Sequence, residues 1–268
     1  MDNTDKPIGI FDSGIGGLTV LRAIARKMPS ESLVYFGDTA HVPYGSKSAE
    51  TVTHYSLTIA RFLVKQKVKM IVVACNTASA LALEELRRQI PVPVIGVIEP
   101  GAAAAIKATA NRRIAVIGTE KTINSGAYKA AVRKLSRQRH EVTGLACPLF
   151  VPLVEEGWWN KEVTLLAARE YLNPLKTCGA DTLILGCTHY PVIKDVIGKV
   201  MGPKVSLVDS AEAIAGEVEW RLEAQGLRRR GRKGGVEIFA SDDPARFRRL
   251  AKNILGTPFK EVTLKTFD

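Results

Sequence analysis

The sequence predicts an α/β fold of two similar, doubly wound parallel-sheet domains, with a site in the cleft between them. Three observations carry this. Short apolar runs alternate with segments whose apolar residues recur at helical spacing, the pattern of βα units. Runs such as Met70–Ala74 are apolar without alternation, as parallel strands covered on both faces are. The order also repeats. Phe36 to Cys75 spans 39 residues and Ala146 to Cys187 spans 41, while Asp12 to Cys75 spans 63 and Thr119 to Cys187 spans 68.

The elements follow in order. A strand over Ile8–Asp12 runs into the turn Ser13-Gly14-Ile15-Gly16-Gly17, and a helix follows through Leu18, Leu21, Ile24 and Met28, closed by Pro29. Leu33–Phe36 is a strand. A loop through Gly37-Asp38-Thr39 and Pro43-Tyr44-Gly45 leads to a helix over about 49–66. Met70–Ala74 runs into Cys75-Asn76-Thr77 and a helix through Leu81, Leu86 and Ile90, and Val92–Val97 is a strand broken by Pro93. The second pass has strands at Arg113–Ile117, Glu141–Ala146 and Thr182–Gly186, with helices over Ser125–Leu135, from Lys161 and over Ile193–Val200. Pro152, Glu155 and Gly157 read as a loop. After a strand at Val205–Val208 come a helix through Ile214 and Leu222, a strand at Val236–Ala240, a helix over Pro244–Leu255 and a strand over Glu261–Phe267. This tail is too short for a domain and is expected to pack on the first. The domains are then residues 1–98 plus 210–268, and residues 99–209.

With 268 residues, 46% hydrophobic and 24% charged, the chain is an ordinary globular one, which excludes general disorder and coiled coil. No apolar stretch approaches the roughly 20 residues of a membrane helix. Met1–Pro7 is polar, so no signal peptide is expected and a cytoplasmic location is. The four cysteines contain no CxxC pair, so ribbon-type zinc spacing is absent and no metal is expected. The net charge is +11. Residues 221–268 hold 12 basic and 6 acidic residues, hence +6 of it, densest at Arg228, Arg229, Arg230, Arg232 and Lys233. With glycines interleaved and no aromatic to stack on a base, that run reads as a solvated, mobile loop, and nucleic-acid binding is not expected.

The glycine loop departs from the dinucleotide fingerprint, because the sixth position is Thr19 and no P-loop lysine follows. Asp12 at the strand end is better explained as a residue that orients or accepts a proton. Cys75 and Cys187 each end a buried strand, at the edge where open α/β sheets bind ligands. Asn76 and Thr77 offer donors for a carboxylate beside Cys75. Thr188 does so beside Cys187, with His189 as a thiol partner. Cys147, followed by Pro148, and Cys178 read as structural. A Cys–His hydrolase needs one nucleophile. Two opposed thiols fit removal of a proton on one face of a carbon and delivery on the other, which inverts a stereocentre.

Five motifs in register resemble the cofactor-independent glutamate racemases of the aspartate/glutamate racemase family. They are Phe11-Asp12-Ser13-Gly14-Ile15-Gly16-Gly17-Leu18-Thr19, Pro43-Tyr44-Gly45, Ala74-Cys75-Asn76-Thr77-Ala78-Ser79, Val154-Glu155 and Gly186-Cys187-Thr188-His189-Tyr190-Pro191. Asp243-Pro244-Ala245-Arg246-Phe247 in the tail also looks like family sequence. The related aspartate racemases typically carry an acid where His189 stands. The resemblance implies that Cys75 and Cys187 are the two acid/base residues, assisted by Asp12, Glu155 and His189. It implies that Asp12, Ser13, Tyr44, Gly45, Asn76, Thr77, Thr119, Thr188 and His189 hold glutamate. It further implies no pyridoxal phosphate, no metal, D-glutamate made for peptidoglycan, and a homodimer. The alternatives are another amino-acid racemase, such as one for aspartate, or a Cys-dependent hydrolase or decarboxylase on the same scaffold.

Overall fold

The computed structural model describes residues 3–256, 259 and 261–267; of the polar N-terminal stretch, Met1 and Asp2 lie outside them. In chain order the strands are β1 (Ile8–Asp12), β2 (Leu33–Gly37), β3 (Met70–Val73), β4 (Val94–Gly96), β5 (Arg113–Gly118), β6 (Glu141–Ala146), β7 (Thr182–Gly186), β8 (Ser206–Asp209), β9 (Val236–Ala240) and β10 (Val262–Leu264). The helices are α1 (Leu18–Lys27), α2 (Ala49–Lys65), α3 (Asn76–Leu81), α4 (Leu83–Gln89), α5 (Ile98–Ala108), α6 (Glu120–Asn124), α7 (Ala127–Leu135), α8 (Phe150–Glu155), α9 (Glu162–Lys176), α10 (Lys194–Met201), α11 (Ser210–Ala224) and α12 (Pro244–Leu255). Among the described residues no helix is long and apolar enough to cross a membrane.

The strands form two parallel sheets, ordered β10-β9-β2-β1-β3-β4 and β6-β5-β7-β8. The second order repeats the β2-β1-β3-β4 part of the first, element for element. The C-terminal β9 pairs with β2 in register from Leu33↔Val236 to Gly37↔Ala240, so the tail extends the first sheet. Both faces of each sheet are covered. In the first, Ile8, Ile10, Met70 and Val72 pack with residues of α1, α11 and α12, while Phe11, Ile71, Val73 and Cys75 face α2, α3 and α4. In the second, Leu183, Leu185 and Cys187 face α8, α9 and α10, while Ile184 faces α5 and α7. Because successive strand residues alternate faces, continuous apolar strands such as Met70–Val73 serve two cores at once.

The structure departs from the sequence expectation in several places: the helix expected through Leu81, Leu86 and Ile90 is two, α3 and α4, and the last strand is only Val262–Leu264. Residues 150–155 are helix α8, not loop, with Pro152 in its first turn, where a proline costs no hydrogen bond. The alanine-rich 98–108 stretch is helix α5, which the periodicity did not reveal because its exposed Ala103 and Ala108 are the same residue type as its buried Ala102 and Ala105. The helix expected over Ser125–Leu135 is α7, and a short helix not expected from the sequence, α6, precedes it, with Gly126 at φ +65° between the two. The basic run is not a free loop. Arg229 donates to Ser30 O at 3.1 Å and Ser32 Oγ at 2.8 Å, pairs with Asp5 at 3.2 Å, and its backbone N–H meets Glu31 Oε1 at 2.8 Å. Glu31 is itself buried against Lys69 at 2.6 Å. Arg228 pairs with Glu219 at 3.1 Å. Gly234 lies against the Glu31 backbone where no Cβ fits.

Candidate active site

The parity of β3 sends Cys75 to the α2–α4 face at the carboxyl end of the sheet. There it caps α3, its sulfur accepting from Ala78 N–H at 3.5 Å. The thiol points to Ser13 Oγ at 3.8 Å. Beneath the glycine loop, Asp12 is fully buried. Its carboxylate accepts from Gly14 N–H at 3.0 Å and from Thr188 Oγ at 3.1 Å, the latter reaching over from the other sheet. Burial, and then the charge of Asp12, push the Cys75 thiol up to about 12. Burial likewise raises the Asp12 carboxyl, against the lowering effects of His189 and of its hydrogen bonds. Asp12 therefore does not ease ionisation of Cys75, as a neighbouring base would; its charge opposes it.

Cys187 occupies the matching position after β7. His189 Nδ1 lies 3.8 Å from its sulfur, and His189 Nε2 lies 2.7 Å from Glu155 Oε1. Burial alone would depress the imidazole. The hydrogen bonds and charges of Cys187 and Glu155 outweigh it and hold His189 well above its ordinary range. The two thiols thus have different partners: a hydroxyl and a buried acid on one side, an imidazole–carboxylate pair on the other. Glycine makes the second possible, since a Cβ on Gly16 would stand 2.5 Å from both His189 Nδ1 and Thr188 Oγ.

The remaining walls come from both halves. Tyr44 donates to Asp38 at 2.5 Å, and Asp38 is also bound by His41 and Ser241, which fixes the turn before Gly45. A Cβ on Gly45 would meet Thr119 Cβ at 2.6 Å. The hydroxyls of Thr77, Thr119 and Thr122 form a triangle of 2.9, 3.0 and 3.3 Å that joins α3 to the α6 turn.

Together these walls close on a narrow pocket lined by Ser13, Pro43, Tyr44, Gly45, Cys75, Asn76, Thr77, Thr119, Val151, Cys187, Thr188 and His189. Ten of the residues singled out in the sequence therefore meet at one place. Asp12 and Glu155 sit behind the lining, touching Thr188 and His189. Cys147 and Cys178 lie outside it; the first is fully buried and the second hydrogen-bonds Leu175 O. Sequence reasoning missed Val151, Thr122 and Tyr128. Val151 was lost with helix α8, for which Pro152 in a first turn was the available signal. Tyr128 and Thr122 have no signal short of the fold, because they reach the site across the boundary between the halves. Among the described residues no cluster of three or more His, Cys, Asp or Glu could hold a metal ion.

The Asp/Glu/Hydantoin racemase family model matches residues 12–218. A glutamate racemase of Geobacter metallireducens is 54% identical over 258 residues, covering 96% of this chain and 95% of that one. A solved glutamate racemase of Bacillus anthracis superposes with a TM-score of 0.93 at 38% identity, covering 98% and 97%. One of Francisella tularensis, solved with D-glutamate, gives 0.91 at 35%, covering 98% of each. By family match and by fold alike, this chain belongs to the Asp/Glu/Hydantoin racemases.

Proposed function

We propose that the chain interconverts L- and D-glutamate by a two-thiol proton transfer that needs no cofactor, and so supplies D-glutamate for peptidoglycan. The relatives at 44–54% identity are glutamate racemases throughout. The observation that carries the mechanism is the pair of strand-end thiols, one from each sheet, lining one pocket with unlike partners. One sulfur, as thiolate, takes the α-proton; the electron pair stays on the carbon and its carboxylate; the other sulfur, as thiol, gives its proton to the opposite face. Each turnover leaves the thiols with exchanged protonation, which solvent resets. In this reading Cys187 deprotonates L-glutamate and Cys75 deprotonates D-glutamate.

A free amino acid is a weak carbon acid, so donors at its carboxylate must stabilise the enediolate-like state. Asn76, Thr77, Thr119 and Thr188 stand where they can do so, with Ser13, Tyr44 and Gly45 completing the substrate's contacts. His189 Nδ1 stands 3.8 Å from the Cys187 sulfur, within reach to exchange a proton with it. The Cys75 side is harder. With the thiol at about 12, forming its anion at pH 7 costs about 7 kcal/mol in the substrate-free pocket. The ammonium group of a bound substrate supplies an opposite charge that offsets part of this. We assign Glu155 and His189 to assist Cys187, and Asp12 to hold the Gly14 N–H and the Thr188 hydroxyl in place beside the thiols.

The proposed division is residues 1–98 plus 210–268 and residues 99–209, the chain crossing in the first turn of α5 and returning at α11. We place the protein in the cytoplasm. A second copy of the chain is the proposed partner; exposed Trp158, and Val163 and Leu166 on one face of α9, offer apolar area for it, and light scattering tests this. The reaction is tested with L- and D-glutamate in D₂O without added cofactor. Circular dichroism should decay to zero, with deuterium entering the product enantiomer first. Cys75→Ser or Cys187→Ser should abolish turnover both ways. Near-normal turnover by either variant would require a one-base route instead.

A further inference from the structure

Asn76 opens α3 directly after Cys75 and is one of the residues lining the pocket. Its Oδ1 is taken: the Tyr128 hydroxyl reaches it at 2.6 Å from α7, in the other half of the molecule. That distance lies within the range of O–H···O bonds and short of the usual N–H···O range, so the tyrosine is the donor and the amide oxygen the acceptor. The other end of the amide, Nδ2, is buried and has no partner in the protein. A buried NH₂ without an acceptor is costly unless something supplies one. The pocket it lines is the one a dicarboxylate would fill.

We propose that Tyr128 is a positioning residue that locks the Asn76 amide with its NH₂ toward the pocket, as donor to a substrate carboxylate. The inference rests on the racemase reading and names a residue that acts through another. An amide has two nearly isosteric orientations, and in the wrong one its oxygen would face an anion. Tyr128 selects the right one because a phenol that keeps its proton can donate to Oδ1. Burial, and then the charge of Cys187, hold that phenol above its ordinary range, so the proton stays. The ring itself has little freedom. A Cβ on Gly186 would stand 3.1 Å from one edge, and one on Gly101 would stand 3.4 Å from the hydroxyl. Because Tyr128 and Asn76 belong to different halves, carboxylate recognition is tied to the two halves being together.

The test is Tyr128→Phe, which keeps the ring between the two glycines and removes only the hydroxyl. KM should rise about tenfold for both L- and D-glutamate, the worth of about one hydrogen bond, with kcat within threefold and the melting point near that of the wild type. In an Asn76→Ala background the same substitution should add less than twofold, since its effect runs through the amide. Asn76→Asp supplies a second check: it can still accept from Tyr128 but offers no donor, and should raise KM at least as far. A KM within twofold of wild type in Tyr128→Phe, a full multiplicative effect without Asn76, or normal KM in Asn76→Asp would each overturn the proposal. If the wild type racemises glutamate while Tyr128→Phe keeps its KM, the inference alone falls. If the wild type neither binds nor racemises glutamate, the reading beneath it falls too.

Discussion

Glu155→Gln tests the imidazole–carboxylate pair behind Cys187. The substitution keeps a hydrogen-bonding group at 2.7 Å from His189 Nε2 and removes the charge. Two unit charges about 4 Å apart interact by about 4 kcal/mol at an effective dielectric of 20, which sets the ceiling. Glu155 retains 15% of its side-chain exposure and glutamine retains a hydrogen bond, so the expected loss is that of a charged hydrogen bond, about 1.5–3 kcal/mol. That is roughly a 10- to 150-fold fall in kcat/KM. Enantiomers are equally stable in water, so the equilibrium constant is fixed at unity and kcat/KM must fall equally in both directions. Any directional difference is confined to kcat and KM taken separately. The assay is circular dichroism from each enantiomer, with deuterium incorporation at early times. The His189 side-chain signal by NMR should titrate at lower pH than in the wild type. A kcat/KM within twofold of wild type, or an unmoved His189 titration, would show that Glu155 does not govern the imidazole.

Gly16→Ala places a methyl 2.5 Å from His189 Nδ1 and Thr188 Oγ, and should cut kcat/KM by about a hundredfold as His189 is displaced; wild-type kinetics would refute that packing. Neutralising Arg228, Arg229 and Arg230 should leave kcat within a few-fold, because the run is remote from the pocket. It should lower unfolding free energy by about 1–2 kcal/mol, because Arg229 ties the run to Asp5, Ser30 and Ser32; urea melts distinguish this from a free loop, which would show no change. Cys75 and Cys147 are both held up to about 12 by burial, so above pH 9 the unfolded chain loses these protons first. The unfolded state then binds fewer protons and stability falls as pH rises from about 9 toward 12. Cys147→Ala should flatten that decline in urea midpoints measured across this range, and an unchanged slope would refute it.

Much of the site was legible because strand ends are legible. A continuous apolar run that stops at Asp12, Cys75 or Cys187 marks the carboxyl edge of a parallel sheet, and the repeat of spacings placed two such edges in corresponding positions. The close approach at Gly16 was not legible, since the atoms that demand a glycine there belong to residues 188 and 189. Helix α5 was hidden by its run of alanines, alike on buried and exposed sides, and α8 by a proline read as a breaker instead of a first-turn residue. The basic run was misread for a related reason. Its charge pattern describes solvent exposure, but Glu31 and Lys69, which anchor it, are distant in sequence and buried. Electrostatic direction was the least legible. The acid beside Cys75 looks like a base in the sequence, yet in its buried setting it opposes the thiolate.

The matching strand orders of the two sheets have a consequence for handedness. Two copies of one fold can be related by a rotation, never by a reflection, because every residue is of the L form. The two enantiomers of an amino acid are related by reflection. A site assembled from repeated halves therefore cannot present the same face to each. Both enantiomers can be held with their carboxylates and ammonium in similar places only if the α-hydrogen alone changes sides, toward one sulfur or the other. The fixed groups must then be common property, donors such as the threonine triangle, to which both halves contribute. What differs between the enantiomers falls on the two sulfurs, whose surroundings are unlike. The repeated strand order supplies two edges bearing thiols, and the chemistry depends on how those edges differ.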